Sequence, residues 1–411
     1  MHKRSMMYQT ENFLNLIKYA LHKTSMAEMP ELKEPVDWVV LAQIARAHNL
    51  FPLFHEVAYK FPEYRESAEY ETNAKVAMMI IAQQVQKTEM FLELYRAFLK
   101  EDLHPIVMKG IICRQMYGEY AEHRPSGDED ILVKKEDFYK AQAIMERCGY
   151  ECELEVVTDN MIDQLQHIGF IEKKNRFLVE VHTNMMGHRN ELRTKMSNCF
   201  EEVFNNFREE IIKRVPIRTL SHTEHFLFLV LHAFRHFTEN GVGIRQLLDI
   251  LLYQERFENQ IEWLELIKVL QENHADKFLG DIQYIGANCL GFKLKQCTAT
   301  IDPQALLQDV MEDGVFGKRE RTDIMAGNIV MEVLNHEKKG LYAWLRAGFP
   351  PRRQMLDWAP YLEDRPWLLP IEWIKRWARF IKRARKYDGN LMRESLYKSQ
   401  KRIELLRKYG L

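Results

Sequence analysis

The sequence predicts an α+β protein in which a small mixed-sheet core is flanked by helical N-terminal and C-terminal regions. In residues 1–100, and again from residue 221 onward, apolar residues recur at 3- and 4-residue spacings, which is typical of packed helices. Between these regions, short apolar runs alternate with turn residues, which is typical of strands. The 411 residues are 46% hydrophobic and 28% charged, and this composition is globular.

The chain divides into four predicted regions. Residues 1–100 form a helical N-terminal region and residues 101–215 an α/β core. Residues 216–350 form a helical domain, and residues 351–411 a linker rich in proline and aromatic residues followed by a basic helix. This length is typical of two or three domains, and one enlarged unit is the alternative.

Helices in the N-terminal region are indicated by two features. Phe13, Leu14 and Ile17 share one face of a helix, and residues 75–100 form a long run without glycine or proline. Pro105 ends this pattern because proline lacks an N–H and restricts the residue before it. The α/β core therefore begins close to this point.

The core is predicted to alternate strands with helices. Strands are predicted over residues 106–108, 128–133, 151–157, 168–172 and 177–182, and helices over residues 111–117 and 136–148. Gly149 is a candidate C-cap for the second helix, and Asn175-Arg176 is a candidate hairpin turn between the last two strands. Ser221, followed three residues later by Glu224, predicts a capped helix start.

Composition and motifs argue against several classes of protein. The formal net charge of -1 gives no overall attraction to nucleic acid or to membranes. The six cysteines form no CxxC pair and no disulfide framework, which favours a reduced, cytoplasmic location. We expect neither a signal peptide nor a membrane span, since no run of ~18 uncharged apolar residues occurs. The P-loop and dinucleotide-binding glycine motifs are also missing.

Asp128 and Asp130 are the first candidates for chemistry. On a strand, residues two apart point to the same face, so these two carboxylates project together while Glu129 points away. Adjacent carboxylates repel each other unless a cation lies between them, and hard oxygen ligands suit Mg²⁺ or Mn²⁺. Glu180 supplies a third carboxylate if its strand lies beside the first. His182 follows on the same face as Glu180 and is an accessory candidate, either orienting a ligand or structural.

Candidate phosphate-binding residues precede the acidic strand. Lys109 and Gly110 lie where a strand ends and a helix begins. Glycine lets the backbone approach a phosphate closely, a helix N-terminus favours anions, and the lysine adds a positive charge. Arg124, Ser126 and Gly127 form the turn directly before the acidic strand and are further candidates for binding a nucleotide.

These motifs, taken in order, resemble those of a bacterial family. The set is Lys109-Gly110, then Arg124-Pro125-x-Gly127-Asp128-x-Asp130-Ile131-Leu132-Val133, then Val179-Glu180-Val181-His182. It is similar to the nucleotidyltransferase-fold family usually left uncharacterised, within the DNA polymerase beta-like superfamily. The similarity is firm over residues 100–190 and looser through the helical stretch that contains His232, His236, Arg245 and Asp249.

The resemblance implies transfer of a nucleoside monophosphate from an NTP to an acceptor hydroxyl by a two-metal mechanism. Asp128, Asp130 and Glu180 would then bind Mg²⁺ or Mn²⁺, and the unknown acceptor can be a small molecule, a protein or RNA. One departure concerns the phosphate loop: the superfamily commonly has Gly-Ser or Gly-Gly shortly before its DxD motif, whereas here Ile111 follows Gly110. This departure motivates an alternative, a catalytically inactive binding or regulatory protein.

The C-terminal helical region contains two histidines at a spacing of four. His232 and His236 could form a zinc pair, although no glutamate follows His232 as in the HExxH motif. One alternative is a pair of partly buried histidines on an apolar helix face. Another is that His236, Arg235 or Arg245 lines the substrate cleft. Asp249 lies four residues after Arg245 and could pair with it.

A basic helix is predicted from Ile371 to the C-terminus. Its cations include Lys375, Arg376, Arg379, Lys382, Arg383, Arg385 and Lys386, interleaved with Trp373, Trp377 and Phe380. Such a stripe can bind nucleic acid because phosphate contacts release counterions, which would suit an RNA-directed, tRNA-modifying or toxin-like transferase. The same pattern describes an amphipathic helix whose aromatic residues pack on the protein while its cations face water.

Overall fold

The computed structural model of the protein describes residues 2–22, 29–188, 191–239, 241–313, 348–356, 359–384 and 402–411. Residues 314–347 of the predicted helical domain and residues 385–401 of the predicted basic helix lie outside the described residues. In the described part, helices come before and after a mixed seven-stranded sheet along the chain, which confirms the predicted α+β class.

Helices form the N-terminal region, as the apolar spacing predicts. The described ones are α1 (His2–His22), α2 (Trp38–Ala47), α3 (Phe51–Ala58), α4 (Pro62–Arg65) and α5 (Tyr70–Lys100). Phe13, Leu14 and Ile17 are buried, so the predicted apolar face of α1 is the face that packs. Helix α2 begins after Asp37, whose carboxylate accepts a hydrogen bond from the Val40 N–H at 3.0 Å.

Seven strands form the central sheet. They are β1 (Ile106–Val107), β2 (Asp128–Leu132), β3 (Tyr150–Cys152), β4 (Ile168–Glu172), β5 (Leu178–His182), β6 (Phe207–Ile212) and β7 (Val215–Leu220). Their order across the sheet is β3-β4-β5-β2-β1-β7-β6. β2 pairs with β5 in parallel and β1 pairs with β7 in parallel, while the other neighbours are antiparallel. The acidic strand β2 therefore lies at the centre of the sheet.

Helices connect the strands and continue after the sheet. The connecting helices are α6 (Ile111–Arg114), α7 (Phe138–Arg147), α8 (Asp159–Gln164) and α9 (Glu191–Asn198), with a 3₁₀ segment at Gln115–His123. The later ones are α10 (His222–Glu239), α11 (Ile244–Phe257), α12 (Trp263–Glu272), α13 (Asp276–Cys289), α14 (Pro303–Asp313), α15 (Arg352–Met355), α16 (Leu369–Ala384) and α17 (402–409). None of the described helices is long and apolar enough to cross a membrane.

The two faces of the sheet belong to different apolar clusters. Ile131 of β2 packs in a cluster with residues of α5 and α7, such as Phe91 and Phe138. The next residue, Leu132, packs in the larger cluster that joins the N-terminal helices to α10 and the helices after it. Because side chains alternate along a strand, Asp128 and Asp130 lie on the α10 side of the sheet.

Helix α10 starts as its sequence predicts. The Ser221 hydroxyl accepts a hydrogen bond from the Glu224 N–H at 3.3 Å and donates one to the Glu224 carboxylate at 2.7 Å. This cap fixes where the helix begins, and so fixes which of its residues face the sheet.

Two parts of the sheet differ from the prediction. The strand expected over residues 151–157 ends at Cys152, and its pairing with β4 covers only Tyr150, Glu151 and Cys152. β6 and β7 were not predicted. Their hairpin turns at Lys213 and Arg214, which both have positive φ (45° and 66°) although neither is the glycine or asparagine that usually marks such a turn. β6 also alternates exposed with partly buried residues, and its exposed residues are Phe207, Glu209 and Ile211, so it lacks the apolar face that usually signals a strand.

Candidate active site

β2 and β5 bring three acidic side chains together. Their parallel register pairs Asp130 with Glu180, and Asp128 precedes Asp130 by two residues on the same face. One carboxylate oxygen from each of the three residues lies within 4.8 Å of the others. Glu180 therefore stands on the same side of the sheet as the aspartates, beside them.

Lys109 is the cation that contacts this group. It follows β1, the neighbour of β2, and its Nζ lies 3.2 Å from Asp130 Oδ2 and 3.4 Å from His232 Nε2. Burial alone would lower the pKa of Lys109, but the carboxylates of Asp130, Asp128 and Glu180 raise it. The ammonium group is therefore charged and stands between the acids and helix α10.

His182 lies between two of the acids. Its Nε2 is 3.1 Å from Asp130 Oδ1 and 3.6 Å from Glu180 Oε2, and only 1% of its side chain is exposed. Burial alone would lower the pKa of His182, yet the hydrogen bonds to the two carboxylates raise it. His182 thus contacts both Asp130 and Glu180, and its predicted role of orienting a ligand stays a prediction.

The three carboxyl groups are not equally compensated. Burial, and then the charge of Asp130, raises the pKa of Asp128 to about 6. Burial alone would raise the pKa of Asp130 and of Glu180 as well. Lys109 and His182 nevertheless hold the pKa of Asp130 below its usual range, and the hydrogen bond from His182 lowers the pKa of Glu180. Lys109 and Arg245 lower the pKa of Asp128 but do not offset its burial and the charge of Asp130, so the charge of Asp128 is the least compensated of the three. A divalent cation among the three oxygens would supply the missing positive charge, so this donor set fits Mg²⁺ or Mn²⁺.

Helix α10 forms the wall opposite the acids. His232, Arg235 and His236 lie on one stripe of the helix: the two Nε2 atoms are 3.0 Å apart, and Arg235 Nη2 lies 3.0 Å from His236 Nε2. Burial, followed by nearby cations, lowers the pKa of both histidines well below the usual value and that of Arg235 to about 10. Among the described residues, no metal-binding group of three contains either histidine. The pair instead contacts Lys109 through His232.

Several polar residues next to helix α10 and the acids belong to no motif that the sequence shows. Arg193 pairs with Glu239 through two hydrogen bonds of 2.6 and 2.5 Å. Gln166 accepts hydrogen bonds from Arg193 and Arg235. His167 Nδ1 lies 3.2 Å from Glu180 Oε2. Only His167 had a usable signal, because it directly precedes the predicted strand that pairs with the one containing Glu180.

The phosphate-loop candidates Gly110 and Ser126 surround Glu129. Gly110 has a φ of +52°, and a Cβ there would meet Glu129 Oε2 at 1.9 Å. Glu129 also accepts a hydrogen bond from the Ile111 N–H at 2.7 Å, and it forms an ion pair with Arg114 at 2.6 Å. Ser126 Oγ accepts a hydrogen bond from Arg114 Nη1 at 2.7 Å. The N–H that starts α6 is therefore bonded to a carboxylate of the protein itself.

The other residues of the turn before β2 are placed differently from one another. Gly127 is exposed. Arg124 is 4% exposed and donates two hydrogen bonds, of 2.7 and 2.5 Å, to Asp249. Arg245 donates to the Pro125 carbonyl, so Asp249 is held by Arg124 and not by its helix neighbour. In these contacts Arg124 ties the turn to α11, and its role in phosphate binding stays a prediction.

Comparisons with known proteins add one finding. The model of a family described as uncharacterised nucleotidyltransferase matches residues 34–291, more than half of the chain. No curated protein and no solved structure matches. The match extends the sequence similarity beyond the acidic strands, to most of the N-terminal helices and through α13.

Proposed function

Since the chain belongs to this family of uncharacterised nucleotidyltransferases, we propose that it transfers a nucleoside monophosphate from an NTP to an acceptor hydroxyl. The observation that carries the proposal is the convergence of Asp128, Asp130 and Glu180 on one face of the sheet, within 4.8 Å of one another. A site for a divalent cation with cationic side chains beside it, here Lys109 and Arg235, is what phosphoryl transfer requires.

The three acids are the proposed ligands of Mg²⁺ or Mn²⁺. When bound, such ions activate the attacking oxygen and neutralise the charge that develops on the leaving pyrophosphate. His182 holds Asp130 through its hydrogen bond of 3.1 Å, so the carboxylate is oriented before any ligand arrives.

The reaction forms one bond and breaks another. The oxygen of the acceptor hydroxyl bonds to the α-phosphorus, the bond from that phosphorus to the bridging oxygen breaks, pyrophosphate leaves, and the hydroxyl proton is released to solvent. Lys109 and Arg235 are the proposed cations for the phosphates, because Lys109 stands between the acids and helix α10 and Arg235 lies on the facing side of that helix. His232 and His236 stay neutral at pH 7, so they can hydrogen-bond without adding charge.

RNA is one of the proposed acceptors, beside a small molecule or a protein. In support, Lys375 and Arg379 of α16 have more than half of their side chains exposed. Both lie near the carboxylate of Glu372, which offsets part of their charge. The remaining cations of the predicted stripe lie beyond the side chains that the structure describes, apart from Arg376, which is half-buried.

Two measurements test the proposal. Calorimetry with each NTP, with and without Mg²⁺, measures metal-dependent nucleotide binding. Pyrophosphate release, with pooled small molecules, protein or tRNA as acceptor, then measures transfer. We expect both for the wild type, and their loss in Asp128→Asn and in Asp130→Asn.

The control is Asp102→Asn, which makes the same chemical change at an aspartate whose side chain is 96% exposed. It should behave like the wild type. Metal-dependent NTP binding without pyrophosphate release from any acceptor pool would favour the inactive binding protein instead. Equal activity in wild type, Asp128→Asn and Asp130→Asn would refute the assignment of the site.

A further inference from the structure

We propose that His167, Glu180 and His182 form a second metal site, next to the carboxylate site, that binds a borderline transition-metal ion such as Zn²⁺. One donor atom from each of the three residues lies within 4.8 Å of the others. The site shares Glu180 with the proposed transferase site. It goes beyond the proposed function, because binding of the ion requires no transferase activity.

The sheet places these three side chains on one face. β4 and β5 are antiparallel, and their register pairs Ile168 with Val181. His167 therefore lies directly opposite His182, and residues opposite each other in a sheet point to the same side. Glu180 precedes His182 by two residues and shares that side. The two sites thus adjoin: the carboxylate site bridges β2 and β5, while the proposed site bridges β5 and β4.

The distances between donor atoms fit a tetrahedral ion. Bonds of 2.0–2.1 Å at tetrahedral angles put two ligand atoms roughly 3.3 Å apart. Glu180 Oε2 lies 3.2 Å from His167 Nδ1 and 3.6 Å from His182 Nε2. In both pairs the donors are already at the separation that a bound ion would impose. Binding of the ion would replace the hydrogen bond between His182 Nε2 and Asp130 Oδ1 by a metal bond, so His182 holds Asp130 only while the histidine site is empty.

The contact between His167 and Glu180 is not a hydrogen bond. His167 Nδ1 is enclosed by protein, and it has no hydrogen-bond partner among the described residues, despite its distance of 3.2 Å from Glu180 Oε2. The two atoms are close but are not directed at each other. This geometry is expected of two ligands that are directed at a common third point.

The donor chemistry selects the class of ion. Imidazole nitrogen suits Zn²⁺, Fe²⁺ and Co²⁺, whereas Mg²⁺ prefers oxygen ligands only. Three protein ligands leave one tetrahedral position open, as in catalytic rather than structural zinc sites. His167 is the most exposed of the three proposed ligands, with 38% of its side chain exposed, so it lies on the solvent side of the site.

The test uses Co²⁺ as a coloured probe for the same ligands, added to the full-length protein in excess Mg²⁺. The Mg²⁺ occupies the carboxylate site and leaves the histidine site to Co²⁺. We expect one Co²⁺ bound per chain with a tetrahedral absorption spectrum, and an affinity lower by at least about tenfold in His167→Gln. The control His104→Gln removes a histidine far along the chain from these strands and should bind as the wild type does.

Two results would overturn the proposal: displacement of all Co²⁺ by Mg²⁺, or equal Co²⁺ affinity in wild type and His167→Gln. Circular dichroism checks that His167→Gln, a substitution of a partly exposed residue, leaves the fold intact. The outcome is separable from that of the proposed function. A protein that binds Co²⁺ in this way, yet releases no pyrophosphate with any acceptor, would keep the metal site and lose the transferase.

Discussion

Glu129 and Asp130 are consecutive carboxylates on β2 that face opposite sides of the sheet, and their surroundings differ in kind. Glu129 is fully buried, is paired with Arg114 at 2.6 Å, and accepts the Ile111 N–H at 2.7 Å. Asp130 is equally buried, but it shares its side of the sheet with Asp128 and Glu180. One face has an arginine matched to its single acid, whereas the other crowds three acids around Lys109 and His182.

This difference separates a structural carboxylate from the carboxylates that we propose as metal ligands. A buried charge with a matched partner stabilises the fold as long as the pair is intact. Crowded carboxylates cost stability in the absence of a ligand, and such uncompensated charge marks a binding site. Substitutions on the two faces should therefore have opposite consequences.

The largest effect on stability is expected for Glu129→Gln. The amide can still accept the Ile111 N–H, but the Arg114 charge loses its partner in the protein interior. We expect the free energy of unfolding to fall by about 3–5 kcal/mol, measured by urea denaturation. Adding Arg114→Met removes the unpaired charge and should restore most of the loss. A double variant as unstable as the single one would contradict the pairing.

A smaller loss is expected for Gly110→Ala. Gly110 has positive φ, and its new Cβ would meet Glu129 Oε2 at 1.9 Å, so the substitution strains the backbone and displaces the buried carboxylate. The cost should be about 1–3 kcal/mol by thermal or urea unfolding. Gly127→Ala is the matched control, since nothing lies within 4 Å of a Cβ there. Equal losses at the two glycines would show that the Glu129 contact is unimportant.

The stability of the face that carries the proposed metal ligands should depend on pH. Because the pKa of Asp128 is raised to about 6, the folded protein binds a proton there at a pH where the unfolded chain does not. This group therefore makes the metal-free protein more stable as the pH falls from about 6 to 4, by at most about 1.4 kcal/mol per pH unit. Urea unfolding in EDTA should show that the stability of the wild type relative to Asp128→Asn increases over this range. A constant difference would place Asp128 in an ordinary solvated environment.

The smallest effect concerns Lys109, which occupies the space beside Asp130 at 3.2 Å. Removing its charge in Lys109→Met should raise the affinity for Mn²⁺ without nucleotide, by up to about tenfold, because a competing cation is lost. Lys135→Met is the control: Lys135 also lies near β2 in the chain, but it pairs with the half-exposed Asp163 at 2.7 Å. Weaker Mn²⁺ binding in Lys109→Met than in the control would show that the lysine supports the metal site instead of competing with it.

The sequence predicted the parts of this arrangement that depend on short-range pattern. Alternation along β2 separates Asp128 and Asp130 from Glu129, and Glu180 joined them once β5 was placed beside β2. The contacts of Arg124 could not be predicted from local sequence pattern, because Asp249, the partner of Arg124, lies 125 residues further along the chain. The β6–β7 hairpin was missed for a local reason: Lys213 and Arg214 adopt positive φ without the residues that usually signal it.

The central claim is that a divalent cation binds on the Asp130 face of β2 and not on the Glu129 face. Mn²⁺ titration followed by electron paramagnetic resonance measures this directly in wild type, Asp130→Asn and folded Glu129→Gln. We predict that Asp130→Asn lowers the Mn²⁺ affinity by more than about a hundredfold, which is more than the loss of a residue that only supports a metal ligand would cause. Glu129→Gln should bind Mn²⁺ as the wild type does. Unchanged Mn²⁺ affinity in Asp130→Asn would contradict the account.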